Sequence, residues 1–479
     1  MTQARILRVD VAIAGAGGAG IAAAIEAQGQ GADVLVLDCA DSFGGAAVMS
    51  GGGCFIVDTP LQARHGIKDS VEMAYEDWLA WGGETVDKEW ARYYIERSRP
   101  DLYDWVEGFG IHWTDLKFQE GNRAMRWHRP AGGGKELTTG LYETALRLGV
   151  DRWLWRTSPE EILLDKGRVV GVRSRNLDTG EEMEIHCRNL VMATGGFNSN
   201  HEMVARYNPQ LRNCQFLVCS GPYSTGKGHK LVEQVGGMLT HMDQMWIYVF
   251  ATPDYRDPEG KWGLVIRDIP GNAWVNAQGK RFHNEALSGG ASGTPAVMRQ
   301  DPPFAWAIID GPMTANMEIS HPDYRRGATA VPEKVAQFLQ ESPFIYMAQS
   351  LEELARAIAV PPEVFCDTIE RYNSAVRAGL SHDPEQGKPL AKMTPIATPP
   401  FVAIKFMPLA RKNFGGVKTS LRCEVLRRDG SIIPGLYAAG ELAGMAGGHI
   451  NGKNGLEGTM LGPSIFSGRV AGVWAVKGQ

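Results

Sequence analysis

Gly15, Gly17 and Gly20 stand at the spacing that lets a backbone wrap a pyrophosphate. They follow a β-prone run, Val9–Ala14, and open an alanine-rich stretch. A second apolar run, Val34–Leu37, then ends in Asp38. This order predicts strand, turn, helix and strand, with an acid at the end of the second strand. Gly15 permits the tight turn, Gly17 lets backbone approach a phosphate, and Gly20 lets the helix pack on the sheet. At the helix start, Gly18, Ala19 and Gly20 offer free N–H groups and a partial positive charge. Asp38 falls about 20 residues on, where a carboxylate accepts both ribose hydroxyl protons. The chemistry implied is dinucleotide binding; which dinucleotide, and for what reaction, must come from elsewhere in the chain.

The bulk properties bound what these residues can serve. At 479 residues the chain exceeds one simple core, which predicts two domains. Hydrophobic residues make up 44% and charged residues 22%, as in a globular enzyme. A formal charge of −5 argues against a nucleic-acid partner and against general attraction to an anionic membrane. Cys39, Cys54, Cys187, Cys214, Cys219, Cys366 and Cys423 show no metal or haem spacing. Their odd number fits reduced thiols, and no metal site is expected. There is no signal-peptide pattern and no uncharged apolar stretch of about 18 residues. The expectation is a cytoplasmic protein without a membrane span. Glycine is the unusual component, clustered at Gly15–Gly20, Gly44–Gly53, Gly132–Gly134, Gly195–Gly196 and Gly435–Gly462. Such clustering suggests many close backbone approaches to one large ligand, although any one cluster also reads as an ordinary turn.

Around the fingerprint, residues 1–58 read as the first nucleotide-binding unit. Helical spacing of Val71, Ala74, Tyr75, Trp78 and Leu79 begins near Ser70 and runs to about Gly110. Its aromatics read as packing rather than function. A short helix is expected at Gly140–Gly149. Strands are expected at Ile162–Leu164, Arg168–Arg175, Glu182–His186 and Leu190–Ala193, with a hairpin at Asp178-Thr-Gly180. Residues 247–395 are richer in proline and aromatics, with helices expected at Leu351–Ala359 and Glu363–Gly379. Leu461–Lys477 reads as an apolar final helix. The expected division is therefore 1–246 and 396–479 for a discontinuous nucleotide domain, with 247–395 inserted.

Further motifs narrow the ligand. Gly44-Gly45 leads into Ser50-Gly51-Gly52, and Ala193-Thr194-Gly195-Gly196-Phe197 ends a strand. Thr225-Gly-Lys-Gly228 precedes a helix, and Val275-Asn-Ala-Gln-Gly-Lys-Arg-Phe-His-Asn-Glu285 follows in the middle of the chain. Gly435-Leu-Tyr-Ala-Ala-Gly440-Glu441 is a strand ending in an acid, and Leu461-Gly-Pro-Ser464 opens the last helix. In this order, across nearly the whole chain, the set resembles the fumarate reductase/succinate dehydrogenase flavoprotein superfamily, including its 3-ketosteroid dehydrogenase branch. The resemblance implies an α/β fold: a discontinuous Rossmann-like FAD-binding domain with an inserted α+β cap domain. It implies tightly held FAD and hydride transfer at a carbon–carbon bond. Gly15, Gly17 and Gly20 would hold the pyrophosphate, Asp38 the adenosine ribose and Glu441 the ribityl hydroxyls. Gly44, Gly45 and Ser50–Gly52 would line the isoalloxazine, and Thr194, Gly195 and Gly196 would also bind the cofactor. The helix opened by Leu461 and Ser464 would face the flavin. The covalent branch uses a histidine before its glycine pair; Phe43–Gly53 has none, so FAD is expected to be non-covalent.

The departures are equally informative. Fumarate reductases place an arginine acid after the Arg-Phe-x-Asn-Glu run; here Glu285 is followed by Ala-Leu-Ser-Gly-Gly290. Their His-Thr-Met-Gly-Gly segment corresponds to Arg411-Lys-Asn-Phe-Gly-Gly416, and Trp246–Pro253 carries Tyr248 rather than a histidine. Steroid dehydrogenases use a tyrosine ahead of the last helix, and Gly447–Gly458 has none. This loop, lying between the ribityl-binding acid and the flavin-facing helix, supplies the catalytic candidates. His449 is an acid or base near neutral pH. Lys453 or Arg411 would bind a carboxylate or polarise a carbonyl, and Tyr248 would donate to an enolate oxygen. A structural loop histidine, surface charges and a core tyrosine are the bland alternatives. Arg281 and Glu285 read as structural, because the acid they would serve is absent.

The expected reaction is desaturation, or ene reduction, beside a carbonyl of a 3-ketosteroid-like, other cyclic or organic-acid substrate. Electrons would pass to or from an external acceptor, since no haem or iron–sulfur motif is present. Two alternatives remain open at this point. One is a flavin oxidoreductase acting on a C–OH or C–N bond. The other is a flavin-holding redox or interaction protein without small-molecule turnover.

Overall fold

The computed structural model describes residues 5–212, 214–219, 221–287, 292–326 and 329–478. Ser288–Gly290, which follow Glu285 in place of an arginine, lie outside the described residues. The chain forms two compact units. Met1–Tyr207, Ser220–Met245 and Lys412–Gln479 make the first; Asn208–Cys219 and Trp246–Arg411 make the second.

The first unit is built on a sheet with a parallel centre. Arg5–Ala14 lies between Val34–Leu37 and Glu182–Met192, parallel to both. Ile432–Ala438 joins beyond Glu182–Met192, and Arg152–Leu154 beyond Val34–Leu37, again in parallel. Side chains alternate between the two faces of a strand. Val11, Ile13, Val34 and Val36 enter one apolar cluster, while Ala12, Ala14, Leu35 and Leu37 enter another. Burial on both faces explains why these strands read as continuous apolar runs. The register aligns Ala14 with Leu37, Ala14 with Met192 and Met192 with Ala438. Four strands thus end in one row, and the chain turns there at Gly15, Asp38, Ala193 and Ala439.

The helix Gly18–Gly29 covers one face beside the final helix Leu461–Lys477. They approach through small residues. A Cβ on Gly468 would lie 2.1 Å from the Ala19 carbonyl oxygen, and one on Gly472 would lie 2.3 Å from that of Ala23. The expected aromatic packing also holds: Trp78 and Tyr94 are buried, and the Tyr94 hydroxyl donates to the Phe55 carbonyl at 2.5 Å.

Two expected elements differ in extent. Glu182–Met192 is one strand rather than two, pairing antiparallel with Arg168–Asn176 along its first half. Asn189 interrupts the apolar pattern but not the strand, because its buried amide donates to the Ala475 carbonyl at 2.7 Å. The helix expected at Gly140–Gly149 spans Gly133–Arg147. Its glycine opening is one of the clusters expected to approach a ligand, and Gly134 must also be small for packing: a Cβ there would lie 2.2 Å from the Ala47 carbonyl oxygen.

The second unit has its own mixed sheet and apolar core. Ala305–Ile309 and Ile345–Ala348 both pair antiparallel with Phe401–Asn413. Leu351–Ala357 is helical behind a capping box of Ser350 and Glu353, and Pro362–Arg377 forms the longer helix. Arg281 and Glu285 are structural here, inside a buried ion network. The Arg281 guanidinium meets Glu285 at 2.8 and 2.9 Å and Asp383 at 2.9 Å. The Lys388 ammonium lies 3.7 Å from Glu285 and donates to the Asn272 carbonyl. Two cations meet two anions, so no charge is buried alone.

Arg281→Met breaks that balance. Removing one partner of a buried pair costs about 3–5 kcal/mol, because the remaining charge stays desolvated. The thermal unfolding midpoint is expected to fall clearly below wild type; an unchanged midpoint contradicts this account of the network.

Candidate active site

The row of strand ends builds a cradle lined by backbone. Gly15 has φ +114°, and a Cβ there would sit 2.2 Å from the Ala193 carbonyl oxygen. A Cβ on Gly20 would sit 1.8 Å from the Gly15 carbonyl oxygen. These two glycines let the protein close on itself. Gly17 differs: its φ is an ordinary −78°, and the nearest atom to a Cβ would be the Gly44 carbonyl oxygen at 4.0 Å. It faces space. No side chain caps the start of Gly18–Gly29, which leaves the first-turn N–H groups of Gly18, Ala19 and Gly20 for an outside acceptor.

Asp38 lies beside this helix start. One carboxylate oxygen accepts from the Ala16 N–H at 2.6 Å, the other from the Ala40 N–H at 2.8 Å. Burial raises its pKa, and the two N–H donors pull it back. Each oxygen keeps a lone pair for a hydroxyl donor. Gly44, at φ +110°, forms an isolated bridge with Gly17, and Gly45 follows at φ +50°. Ser50 holds its own turn: its hydroxyl donates to the Ala47 carbonyl and accepts from Gly52 N–H. Gly51 lies against Trp127, and a Cβ on Gly52 would lie 2.4 Å from Gly133.

On the other side, Gly440 has φ +69° and its N–H donates to the Ser467 hydroxyl at 3.0 Å. Gly195 also has positive φ, +77°. Glu441 accepts from the Asn198 side-chain amide at 2.6 Å and the Asn413 N–H at 3.2 Å, and pairs with Lys412 at 3.4 Å. A Cβ on Gly196 would collide with these groups, lying 2.2 Å from Asn413 and 2.5 Å from Glu441. The final helix begins at Leu461 without a side-chain cap. Ser464 donates back to the Met460 carbonyl at 2.6 Å.

A dinucleotide with a polyol chain fits these groups. Among the described residues, Thr194 Oγ1, Asn198 Oδ1 and Asn413 Oδ1 are buried without a hydrogen-bond partner. An orphaned buried polar atom costs about 1–3 kcal/mol, and hydroxyl donors of a ribityl chain would satisfy the two amide oxygens. Phosphate oxygens would meet the uncapped N–H groups, and ribose hydroxyls the free lone pairs of Asp38. No cluster of residues able to hold a metal occurs among the described residues.

The catalytic candidates fall into two groups. His449 sits in the loop after Glu441, which returns to that turn when the Gly448 N–H donates to the Ala443 carbonyl at 2.8 Å. Its ring stacks on His241, with centroids 4.0 Å apart and planes 5° apart. Burial, then His241 and Lys418, lower the His449 pKa to about 4, so the ring is neutral at pH 7. Two like charges at that separation would repel by about 4 kcal/mol at an effective dielectric of 20. Lys453 shares the loop, where its N–H donates to the Gly82 carbonyl at 2.9 Å; its side chain is exposed. In the second unit, the Arg411 guanidinium lies over the Tyr248 ring, 5.1 Å from its centroid. Tyr248 is buried between Trp246 and Phe250.

Several residues of the cradle were not singled out from the sequence. His241 lies five residues upstream of the Trp246–Pro253 stretch, where the family resemblance places a histidine and this chain has Tyr248, and its stacking partner is remote in sequence. Lys412 and Asn413 stand inside the segment that supplied Arg411, and strand alternation turns Lys412 towards Glu441. Asn198 follows the Thr194–Gly196 turn directly.

Known proteins resemble this chain along nearly its whole length. The profile of a family described as FAD binding domain matches residues 10–461. A NADH:fumarate oxidoreductase of Klebsiella pneumoniae is 32% identical over 98% of the chain. The chain spans about half of that relative, 48% of its length. The open conformation of a flavocytochrome c3 fumarate reductase superposes with a TM-score of 0.80 at 28% identity, covering 98% of this chain and 78% of that one. A 3-ketosteroid-Δ4-(5α)-dehydrogenase from Rhodococcus jostii, solved with 4-androstene-3,17-dione, gives 0.75 at 29%, covering 99% and 98%. No helix among the described residues is long and apolar enough to cross a membrane.

Gly17→Ala and Gly20→Ala separate ligand space from packing. Gly17→Ala is expected to leave the apoprotein melting temperature near wild type and to weaken FAD binding at least about tenfold, a loss of about 1.4 kcal/mol. Gly20→Ala is expected to destabilise the apoprotein itself. Wild-type FAD affinity in Gly17→Ala, measured by fluorescence titration, contradicts the assignment.

Proposed function

The chain belongs to this FAD-binding family, and from that premise we propose that it oxidises or reduces a carbon–carbon bond beside a carbonyl. Its relatives carry the reading. The names of those above point to two substrates, fumarate and a 3-ketosteroid, whose common chemistry is a carbon–carbon double bond next to a carbonyl. The first unit serves as a discontinuous Rossmann-like FAD domain, and the second as the substrate, or cap, domain. FAD is held non-covalently. Its pyrophosphate rests on Gly15, Gly17, Gly18, Ala19 and Gly20, and its adenosine ribose on Asp38. Asn198, Asn413 and Glu441 take the ribityl hydroxyls. Gly44, Gly45, Ser50, Gly51 and Gly52 line the isoalloxazine together with Thr194, Gly195, Gly196, Gly440, Leu461 and Ser464.

When bound, FAD supplies hydride acceptance or donation at its nitrogen 5. The protein must then handle a proton at the neighbouring carbon, which the carbonyl acidifies. His449, neutral above about pH 4, takes that proton in the desaturating direction; a ring already protonated could not. Lys453 and Arg411 bind a substrate carboxylate or polarise the carbonyl. Tyr248 donates to the enolate oxygen that forms. Electrons pass to or from an external carrier. The clamp that recognises a small dicarboxylate is largely missing from the sequence, which favours a cyclic ketone over fumarate itself.

Anaerobic mixing tests the reaction class. Saturated cyclic ketones, including 3-ketosteroids, are expected to bleach the oxidised flavin, and the matching enones to reoxidise the reduced form. Bleaching by alcohols or amines alone contradicts the proposal. His449→Gln is expected to slow flavin reduction about 10²–10⁴-fold, the usual worth of general acid–base help; a rate near wild type would remove His449 from the mechanism.

A further inference from the structure

His241 has no role in the reading above, yet its surroundings are built to hold it. Its backbone sits at φ +50°, unusual for a residue with a side chain. A Cβ on Gly415 would lie 1.8 Å from its carbonyl oxygen, and one on Gly448 would lie 2.6 Å from the Thr240 methyl. Glycines on two neighbouring segments thus make room for Thr240 and His241 beside the His449 loop. The result is the coplanar stack at 4.0 Å. His241 Nδ1 is fixed by the Thr240 hydroxyl at 2.6 Å. His449 Nδ1 is buried and, among the described residues, has no hydrogen-bond partner. Both rings are half-buried rather than sealed, so a proton on the pair can reach solvent.

We propose that His241 is the positioning residue for His449: stacking fixes the orientation of the His449 ring and restricts the pair to a single proton. This rests on the reading of His449 as the acid–base group. Charged groups near the pair also bear on it. Lys418, beside the glycines Gly415 and Gly416, disfavours protonation of both rings. Asp87, at the start of the helix Lys88–Ser98, favours it on His449 but is bound to Lys418 at 2.7 Å. Asp243 favours it on His241. In this frame His241 is the uncharged ring that covers a face of His449 at neutral pH and becomes the competing proton site in acid. A proton taken from a substrate carbon by His449 therefore has one holder and one exit. It leaves the pair to water before the ring can act again.

His241→Phe keeps a stacked ring and removes the second proton site; His241→Gln removes the ring as well. The direct readout is the titration of His449 by NMR in FAD-loaded protein with 13C-labelled histidine rings, assigned through the signal lost in His449→Gln. In His241→Phe the His449 midpoint is expected to move up by about one pH unit, a tenfold gain in proton affinity. The acid limb of anaerobic flavin reduction is expected to move with it. His241→Gln is expected to show the same upward shift and a lower rate at neutral pH, because orientation is lost too. If His241 serves packing alone, the midpoint stays at its wild-type value in both variants, and that result overturns the proposal. Unimpaired flavin reduction in His449→Gln instead overturns the acid–base reading beneath it, and the NMR shift tells the two failures apart.

Discussion

The first unit depends on one close approach at the end of its central strand. The Gly15 carbonyl lies where a Cβ on Gly20 would be, and the Ala193 carbonyl lies where a Cβ on Gly15 would be. Only glycine lets the strand turn this sharply while the helix Gly18–Gly29 starts directly over it. That contact aims the helix start along the row of strand ends. It also brings the Thr194–Gly196 turn beside the fingerprint. Gly17 is the one member of the set whose missing side chain leaves room for something outside the protein. The same device recurs where Gly468 and Gly472 admit the backbone of Ala19 and Ala23, seating the final helix against the first.

With the cradle made of backbone, side-chain chemistry is left to few residues. Glu441 is not a free acid: Asn198, Asn413 and Lys412 hold it in place. Its carboxylate and carbonyl accept from the side-chain amides of Asn198 and Asn413, whose own oxygens have no partner among the described residues. His449 is the opposite case, a ring kept neutral by burial and by its neighbour. A neutral ring at pH 7 suits the proton abstraction proposed for it, and both rings of the pair are half-buried. The buried ions of the second unit do neither. Arg281, Glu285, Asp383 and Lys388 balance one another inside a core, where an unmatched charge would be costly.

Much of this was legible in the sequence because glycine and alternation are local signals. The fingerprint, the acid at Asp38, the final helix and the turns at Thr194–Gly196 and Gly440–Glu441 each announce themselves within a few residues. What escaped depends on distance or on context. His241 and His449 are more than 200 positions apart, and nothing local marks a stack. Asn189 looks like a strand break until its amide is seen bonded to Ala475. Gly132–Gly134 reads as a glycine cluster that approaches a ligand, and only the structure shows Ala47 and Ser50 filling the space beside Gly134. Lys412 and Arg411 are equivalent as letters; only the strand's alternation turns Lys412 to Glu441 and Arg411 to Tyr248.

The central claim is that the glycine cradle and the His449 loop serve one cofactor. A crystal structure of the oxidised, FAD-loaded protein tests it most directly. Phosphates are expected on the N–H groups of Gly18–Gly20, the adenosine ribose on Asp38, and the reactive face of the isoalloxazine opening onto the same cavity as His449. FAD bound in that cradle with His449 turned away from the ring, or separated from it by a wall of protein, would contradict it.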